Sequence, residues 1–400
     1  MEHIPCPHYK KCGGCQLQSL PYDEQLRLKQ RKVIRLLGSF CHVEEIIGMA
    51  QPTHYRNKVQ AAFAADRRDR TISGVFQAKT QRVLPVDDCM TQDAAANEII
   101  VTIRNLLKSF KLKPFDPILR RGFLRHVLVK RGFVSGQIMV VLVTGCTAFP
   151  SKRSFVNALL QRHPDITTVV QNISGGSVNL LLGERSEILF GTGKIEEQLC
   201  GNIFRISPRA FYQINPVQTE ILYRCAMDFA ALTGRERVVD AYCGTGTIGI
   251  LCAPQAGSVL GVERNADAVR DAAENARLNK IENIRFTAAD AGNFLAGMAK
   301  AGDKADVVLL DPPRVGCDPK FLQTLAKLAP ERIVYVSCNP ETLARDLRFL
   351  CANGYRVRKL QPVDMFPYTE HVECVALMTK RERQCEAKTQ EVAVKRIFMH

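Results

Sequence analysis

Residues 21–38, PYDEQLRLKQRKVIRLLG, place the apolar Leu26, Val33 and Leu37 roughly on one side of a helix. Arg27, Lys29, Arg31, Lys32 and Arg35 make the rest of that helix strongly basic. Pro21 suits a first-turn position and Gly38 a stop. Residues 50–200 read mostly as strands: NKVQAAFAA, TISGVFQA, LRHVLVKRG, GQIMVVLVTG, ITTVVQNIS and SVNLLLG. Turns rich in Gly, Asn and Asp between them predict hairpins. From about residue 200 apolar strands alternate with helical segments: RVVDAY, SVLGVE, IRFTAAD, ADVVLLD and RIVYVSC, then VRKLQPVD and VECVALM. The spacing leaves room for right-handed crossover helices. The expected fold is therefore α/β, a Rossmann-like parallel sheet over 201–380 preceded by a mostly β region over 1–200. The pattern is lost in the polar tail, 381–400.

Composition adds a partner. The net charge is +15, which points to a polyanion, and nucleic acid is favoured because no basic amphipathic anchor stands out. Arg56, Lys58, Arg125, Lys130 and Arg131 of the strand region could track phosphates. No apolar run reaches the length of a membrane span, and the first residues lack an apolar signal core, so a cytoplasmic protein without a membrane partner is expected. Nothing in the sequence implies an oligomer.

There are fifteen cysteines, and in a reducing cytosol they are not a disulfide framework. Cys146, Cys225, Cys252 and Cys351 stand singly and read as packing residues. Cys6, Cys12 and Cys15 form a C-x5-C-x2-C cluster, and Cys89, in a polar turn, is the best fourth ligand. Four thiolates suit zinc or an iron–sulfur cluster. The second C-x2-4-C pair usual for zinc is missing, which favours [4Fe–4S].

In DAYCGTGTIGI, Gly244, Gly246 and Gly249 match G-x-G-x-x-G, and Glu263 ends the next strand. A dinucleotide site would look the same. Asp240, just before the glycines, would repel a pyrophosphate but suit a cationic methionyl group, which favours S-adenosylmethionine over NAD. Asp240, Glu263, Asp290, Asp311 and Cys338 end five successive strands, where ligands of open α/β sheets bind. Asp311 opens DPPRVG, whose prolines stiffen the loop.

Methylating C5 of uracil needs a thiolate to add at C6, a methyl donor, and a carboxylate to remove the C5 proton. Cys338 precedes Asn339, a good N-cap, and Pro340, a good first helical residue, so a helix N-terminus is expected beside its thiol. His371 and Glu373 would share a strand face, with Glu373 as the candidate base.

CPHYKKCGGCQL with Cys89, FYQIN, DAYCGTGTIG, DPPR, VSCNPETLARD and HVE resemble the class I RNA (uracil-5-) methyltransferases that carry an iron–sulfur cluster. The resemblance covers about residues 5–380. It implies a class I S-adenosylmethionine-dependent methyltransferase domain, with Cys338 as nucleophile and Glu373 as base. Gln213, Tyr242, Glu263 and Asp311 would line the cofactor and uracil site, joined by Asp240, Gly244 and Asp290 from the strand-tip pattern. Cys6, Cys12, Cys15 and Cys89 would hold the [4Fe–4S], and helix 21–38 would pack on the catalytic domain. The cysteine spacing is similar to the 23S rRNA uracil-1939 group more than to the tRNA uracil-54 group. The oligonucleotide-binding TRAM barrel of the ribosomal members is expected to be missing, which leaves position 747 of 23S rRNA or a tRNA uridine open as the target. A non-catalytic RNA-binding module, an exocyclic-amine methyltransferase and an NAD-dependent oxidoreductase are the competing readings.

Overall fold

The computed structural model describes residues 6–175 and 181–381. Most of the expected strand at 177–183 and nearly all of the 381–400 tail lie outside the described residues.

A short helix α1 (Tyr9–Cys12) and the basic helix α2 (Tyr22–Leu37) come first. Pro21 is the N-cap of α2 rather than its first turn. The buried face of α2 is Gln25, Lys29, Val33 and Leu37, an i, i+4 stripe. Lys29, expected among the solvated cations, is 2% exposed. Its ammonium meets Asp364 at 2.6 Å, a partner the local pattern of the helix does not reveal.

The region 50–200 is not mostly strand. Its elements are β1 (Lys58–Ala65), β2 (Thr71–Phe76), β3 (Val83–Pro85), α3 (Ala94–Ser109), β4 (Leu124–Arg131), β5 (Ile138–Thr144), α4 (Lys152–Arg162), β6 (Ile166–Ile173) and β7 (Arg185–Phe190). The β-branched run in α3 resembles a strand, but Asp93 caps its first turn by accepting from the Ala96 amide at 3.0 Å. Ile99, Ile103, Leu106 and Leu107 then bury a helical stripe. The sheet runs β3-β2-β1-β4-β5-β6-β7. Its pairs are antiparallel except β5–β6, which are parallel and joined through α4 rather than by a hairpin.

A hairpin of β8 (Ile195–Leu199) and β9 (Asn202–Ile206) and helix α5 (Pro216–Ala230), capped by Asn215, lead to a second sheet. It contains β10 (Arg237–Ala241), α6 (Thr247–Cys252), β11 (Ser258–Glu263), α7 (Ala266–Leu278), β12 (Ile284–Ala288), α8 (Ala291–Ala301) and β13 (Val307–Leu310). It continues with α9 (Pro319–Leu328), β14 (Arg332–Ser337), α10 (Pro340–Ala352), β15 (Tyr355–Val363) and β16 (Glu373–Lys380). The order is β12-β11-β10-β13-β14-β16-β15, with the first five parallel and β16 antiparallel to both neighbours.

Alternate residues of this sheet feed two cores. Val238, Leu309, Val334 and Val375 join α5, α6 and the Met139, Val141 and Val143 face of the first sheet. Val239, Val308, Ile333 and Ala376 join α8, α9, α10 and the Val33–Leu37 end of α2. The other face of the first sheet packs on α3 and α4 through Val59, Val127 and Val140.

Candidate active site

Strand order carries the chemistry to one edge. Across β12-β11-β10-β13-β14, the carboxyl ends bring Asp290, Glu263, Asp240, Asp311 and Cys338 into line. Asp240 lies within β10 and is 1% exposed, while Asp311 and Cys338 follow their strands directly. All five line a cavity of about 960 Å³, with Gln213, Tyr242, Gly244 and Glu373. The cavity sits where β10 has β11 on one side and β13 on the other, the switch point of the sheet.

Register then sets Cys338 and Glu373 near each other. β16 inserts antiparallel beside β14, with Ser337 opposite Cys374. Extending that register one step beyond the strand sets Cys338 opposite Glu373, and the two are close enough for Glu373 to act electrostatically on the thiol. Asp311 leads off β13 on the other side, since Leu310 pairs with Tyr335. Asn339 caps α10 by accepting from the Glu341 amide at 3.1 Å, so a helix begins beside the thiol. His371 precedes β16 rather than sharing its face, and its ring meets the Arg314 guanidinium at 2.9 Å.

The charges here are held back. Burial first, then Glu373 and Asp311, push the Cys338 thiol up to about 11 against the opposing pull of Arg314. The expected thiolate stabilisation by the helix start therefore does not dominate this pocket. Burial raises Glu373 to about 8, with Asp311 adding and Arg314 opposing. Asp311, half-open to the cavity, is raised by burial to about 7. Asp240 also rises to about 7 through burial, although the Gly249 amide donates to it at 2.8 Å. A ligand that brings positive charge would draw these carboxyls back to their ionised form.

The cofactor end is similarly built. Gly244 has φ +55° and donates to Glu263 at 3.3 Å. A Cβ on Gly249 would lie 2.9 Å from the Asp240 carboxylate, so a larger residue there would push that carboxylate aside. Tyr242, at φ +67°, stacks 5.3 Å from Phe321. Asp290 caps α8 and pairs with Arg264 at 2.5 Å, which holds its carboxyl below the usual range. Gln213 reaches Tyr223 at 3.5 Å. An acidic, aromatic cradle with close backbone approach fits the sulfonium, amino group and ribose of S-adenosylmethionine better than a pyrophosphate.

Phe211, Arg314, Val315 and Phe366 also line the cavity and carried no assigned role in the sequence. Arg314 was visible only as part of DPPR, and Phe366 has no local signal. The expected phosphate-tracking residues are largely committed elsewhere. Lys130 is 5% exposed and donates to the Ser207 and Ala210 carbonyls at 2.9 and 2.8 Å. Arg125 is buried against Ser174, and Arg131 pairs with Asp93 at 2.7 Å. Arg56 lines the cavity, and Lys58 lies 5.8 Å over the Phe211 ring.

The cysteines converge beside this site. Burial raises the Cys12 and Cys15 thiols, and each is raised further by Cys6 and Cys89 and lowered by Arg56, so these groups lie within electrostatic reach. Among the described residues, no group of three or more His, Cys, Asp or Glu is arranged to hold a metal ion.

Residues 21–381 match the sequence model of the tRNA (uracil-5-)-methyltransferases, a span that begins after the first three cysteines. An uncharacterized RNA methyltransferase of Halalkalibacterium halodurans is 41% identical over 379 residues, covering 94% of this chain and 82% of that one. One of Clostridium tetani is 42% identical with the same coverage. The solved Pyrococcus abyssi tRNA (uracil-54, C5)-methyltransferase, bound to S-adenosyl-L-homocysteine, is 28% identical with a TM-score of 0.77, over 92% of this chain and 86% of that one. With its cavity, strand tips and sequence in agreement, the chain belongs to the tRNA (uracil-5-)-methyltransferase family and is an S-adenosylmethionine-dependent RNA methyltransferase.

Proposed function

We propose that the chain methylates C5 of a uracil in RNA through a covalent adduct on Cys338. The observation that supports this most is the register of β14 and β16, which makes Cys338 and Glu373 neighbours at the cavity. After the Cys338 thiol gives its proton to water in the open cavity, Sγ bonds to C6 and the C5=C6 electrons move onto C5 and the adjoining carbonyl. Bound S-adenosylmethionine supplies the methyl group to C5. Glu373, in its ionised form, then takes the C5 proton, the ring double bond re-forms, and the C6–S bond breaks. Asp240, Glu263 and Asp290 would hold the cofactor with Tyr242 and Gly244, while Gln213 and Asp311 would line the uracil side. RNA carrying 5-fluorouridine should become trapped as a protein–RNA adduct, because fluorine replaces the proton Glu373 must remove. Wild-type protein giving no adduct on a denaturing gel, with donor and RNA bound, would refute the route; Cys338→Ala should give none.

For the target, the cysteine pattern favours uridine 1939 of 23S rRNA, modified in the cytoplasm. A second reading, uracil 54 of tRNA, is supported by the likeness to the Pyrococcus abyssi enzyme. Mass-spectrometric mapping of methylated uridines in both RNAs from a deletion strain and its parent separates them.

Cys6, Cys12, Cys15 and Cys89 would hold a [4Fe–4S] cluster. What supports this reading is the cysteine spacing together with the mutual electrostatic effect of the four thiols, and Arg56 would offset their thiolate charge. Its role would be structural, tying the first segment to the Cys89 loop, since methyl transfer moves electron pairs only. Anaerobically purified protein should contain iron and sulfide, and Cys12→Ser should lose both; wild-type protein without them would refute the cluster.

A further inference from the structure

The first sheet has two ends, and only one faces the cavity. There Lys58 pairs with Lys130, and Asn57 donates to the Ile214 and Gln213 carbonyls at 2.9 and 3.1 Å. The other end lies one strand of eight residues away, about 25 Å at the usual rise. It is formed by the β1–β2 turn, 66–70, and by the loop 113–122 that enters β4.

That loop is tightly built. Phe115 and Phe123 donate to the Leu124 and Lys113 carbonyls at 2.8 and 2.9 Å, and Asp116 donates to the Arg121 carbonyl at 2.7 Å. The Asp116 carboxylate accepts from the amides of Ile118 and Leu119 at 2.8 and 3.0 Å. Arg120 takes φ +52° and donates to the Gly175 carbonyl at 3.4 Å. Yet the tip holds Ile118 88% and Leu119 67% exposed. A rigid tip offering two aliphatic side chains to water is a surface made for contact.

Its charge names the partner. Asp66 is occupied by Arg70 at 2.7 Å, Asp69 by Lys113 at 2.8 Å, and Asp116 by backbone amides. The exposed Arg67, Arg68, Arg120 and Arg121 therefore have no carboxylate partner among the described residues. We propose that this end of the first sheet is a second contact for the substrate RNA. The four arginines take phosphates, and Ile118 and Leu119 press against unstacked bases of a loop or bulge, a mode suited to structured RNA. The inference rests on the RNA-uracil reading for its partner and moves the phosphate grip from the strands to the distal loops.

The test uses full-length protein and whichever RNA, 23S ribosomal or transfer, accepts label from tritiated methyl donor. Binding is compared with that of a uridine-bearing fragment too short to span ~25 Å. Arg120→Glu with Arg121→Glu should weaken long-RNA binding about tenfold and lower the salt slope by about one per arginine. Ile118→Ser with Leu119→Ser should weaken it with the slope unchanged. In both, the advantage of long RNA over the fragment shrinks. S-adenosylhomocysteine binding and circular dichroism verify folding, and Arg67→Glu with Arg68→Glu, in a different turn, provides an independent arm. Unchanged long-RNA affinity in folded variants overturns the proposal. So does a dimer in sedimentation that the serine variant abolishes, which would assign the tip to a second copy. If wild-type protein forms the 5-fluorouridine adduct while the variants bind normally, only the distal contact fails. If it forms no adduct and binds no RNA, both readings fall.

Discussion

Two loops flank Cys338 and are held in opposite ways. The loop 311–318 is held by α10, the helix that follows Cys338. Asn339 and Thr342 donate to the Arg314 carbonyl at 3.2 and 3.3 Å, and Arg345 to those of Val315 and Cys317 at 3.0 and 2.9 Å. The Asp346 carboxylate accepts from the Cys317 amide at 2.9 Å and the Tyr335 hydroxyl at 2.7 Å. The loop 364–371 is held from far along the chain. Its carbonyls from Asp364 to Tyr368 accept in turn from Gln218, Asn215, Lys29, Tyr55 and the Leu17 amide, at 2.9–3.0 Å. Gln25 also accepts from the Tyr368 amide at 2.8 Å. One loop beside Cys338 is thus a local product of α10, whereas the other is a product of the whole fold. Damage to the N-terminal third should reach Phe366, His371 and Glu373 directly, and Arg314 only through its contact with His371.

The largest break in the contrast comes at Asp364. Asp364→Ala leaves Lys29 buried without its counter-charge, and urea unfolding should show a loss of about 3–5 kcal/mol. Lys29→Met with Asp364→Leu should recover most of that stability. Methyl transfer should stay low, because the Phe366 carbonyl has lost its donor.

The carboxyls at the loops come next. Glu373, 4% exposed, is raised to about 8 in the folded chain, so the native state retains a proton that the unfolded chain releases near 4.5. Its contribution is present at acid pH and lost as pH rises from about 5 to 8, by at most ~1.4 kcal/mol per unit. Asp311 acts in the same direction up to about 7. Thermal melting of ligand-free protein should fall over that interval, less so in Glu373→Gln; equal slopes would contradict the assignment.

Asp346→Ala should cost about 1–3 kcal/mol by leaving the Tyr335 hydroxyl and Cys317 amide unpaired. It should slow adduct formation with 5-fluorouridine RNA more than it weakens cofactor binding, measured by stopped quench and calorimetry. The smallest change is Gly316→Ala. Gly316 has φ +75°, and a Cβ would lie 2.7 Å from the Arg345 and Asp346 side chains. A loss of about 1–2 kcal/mol is expected from the left-handed backbone, read as a shift in the melting temperature.

Much of the second sheet was legible because its strands are short apolar runs with chemical residues at their ends. The first sheet was less so. In α3 the run IIVTI resembles a strand, and Asp93 as its cap was the overlooked signal. The expected basic surface failed for a different reason: a lysine is read as solvated unless its partner is known. Lys29 finds Asp364 more than three hundred residues away, and Lys130 finds two backbone carbonyls of the segment before Phe211.

Residue chemistry and spacing were thus written in the chain itself: a thiol before an Asn-Pro helix start, acids after apolar strands, and glycines beside Asp240. These are local properties, set by which side chains neighbour one another in sequence and by strand and helix propensity. Only the tertiary structure decided that β16 slots antiparallel beside β14, which brings Glu373 to Cys338, and which cations turn inward. Register and burial depend on partners brought together by the closing of the core, and no short window of sequence contains them.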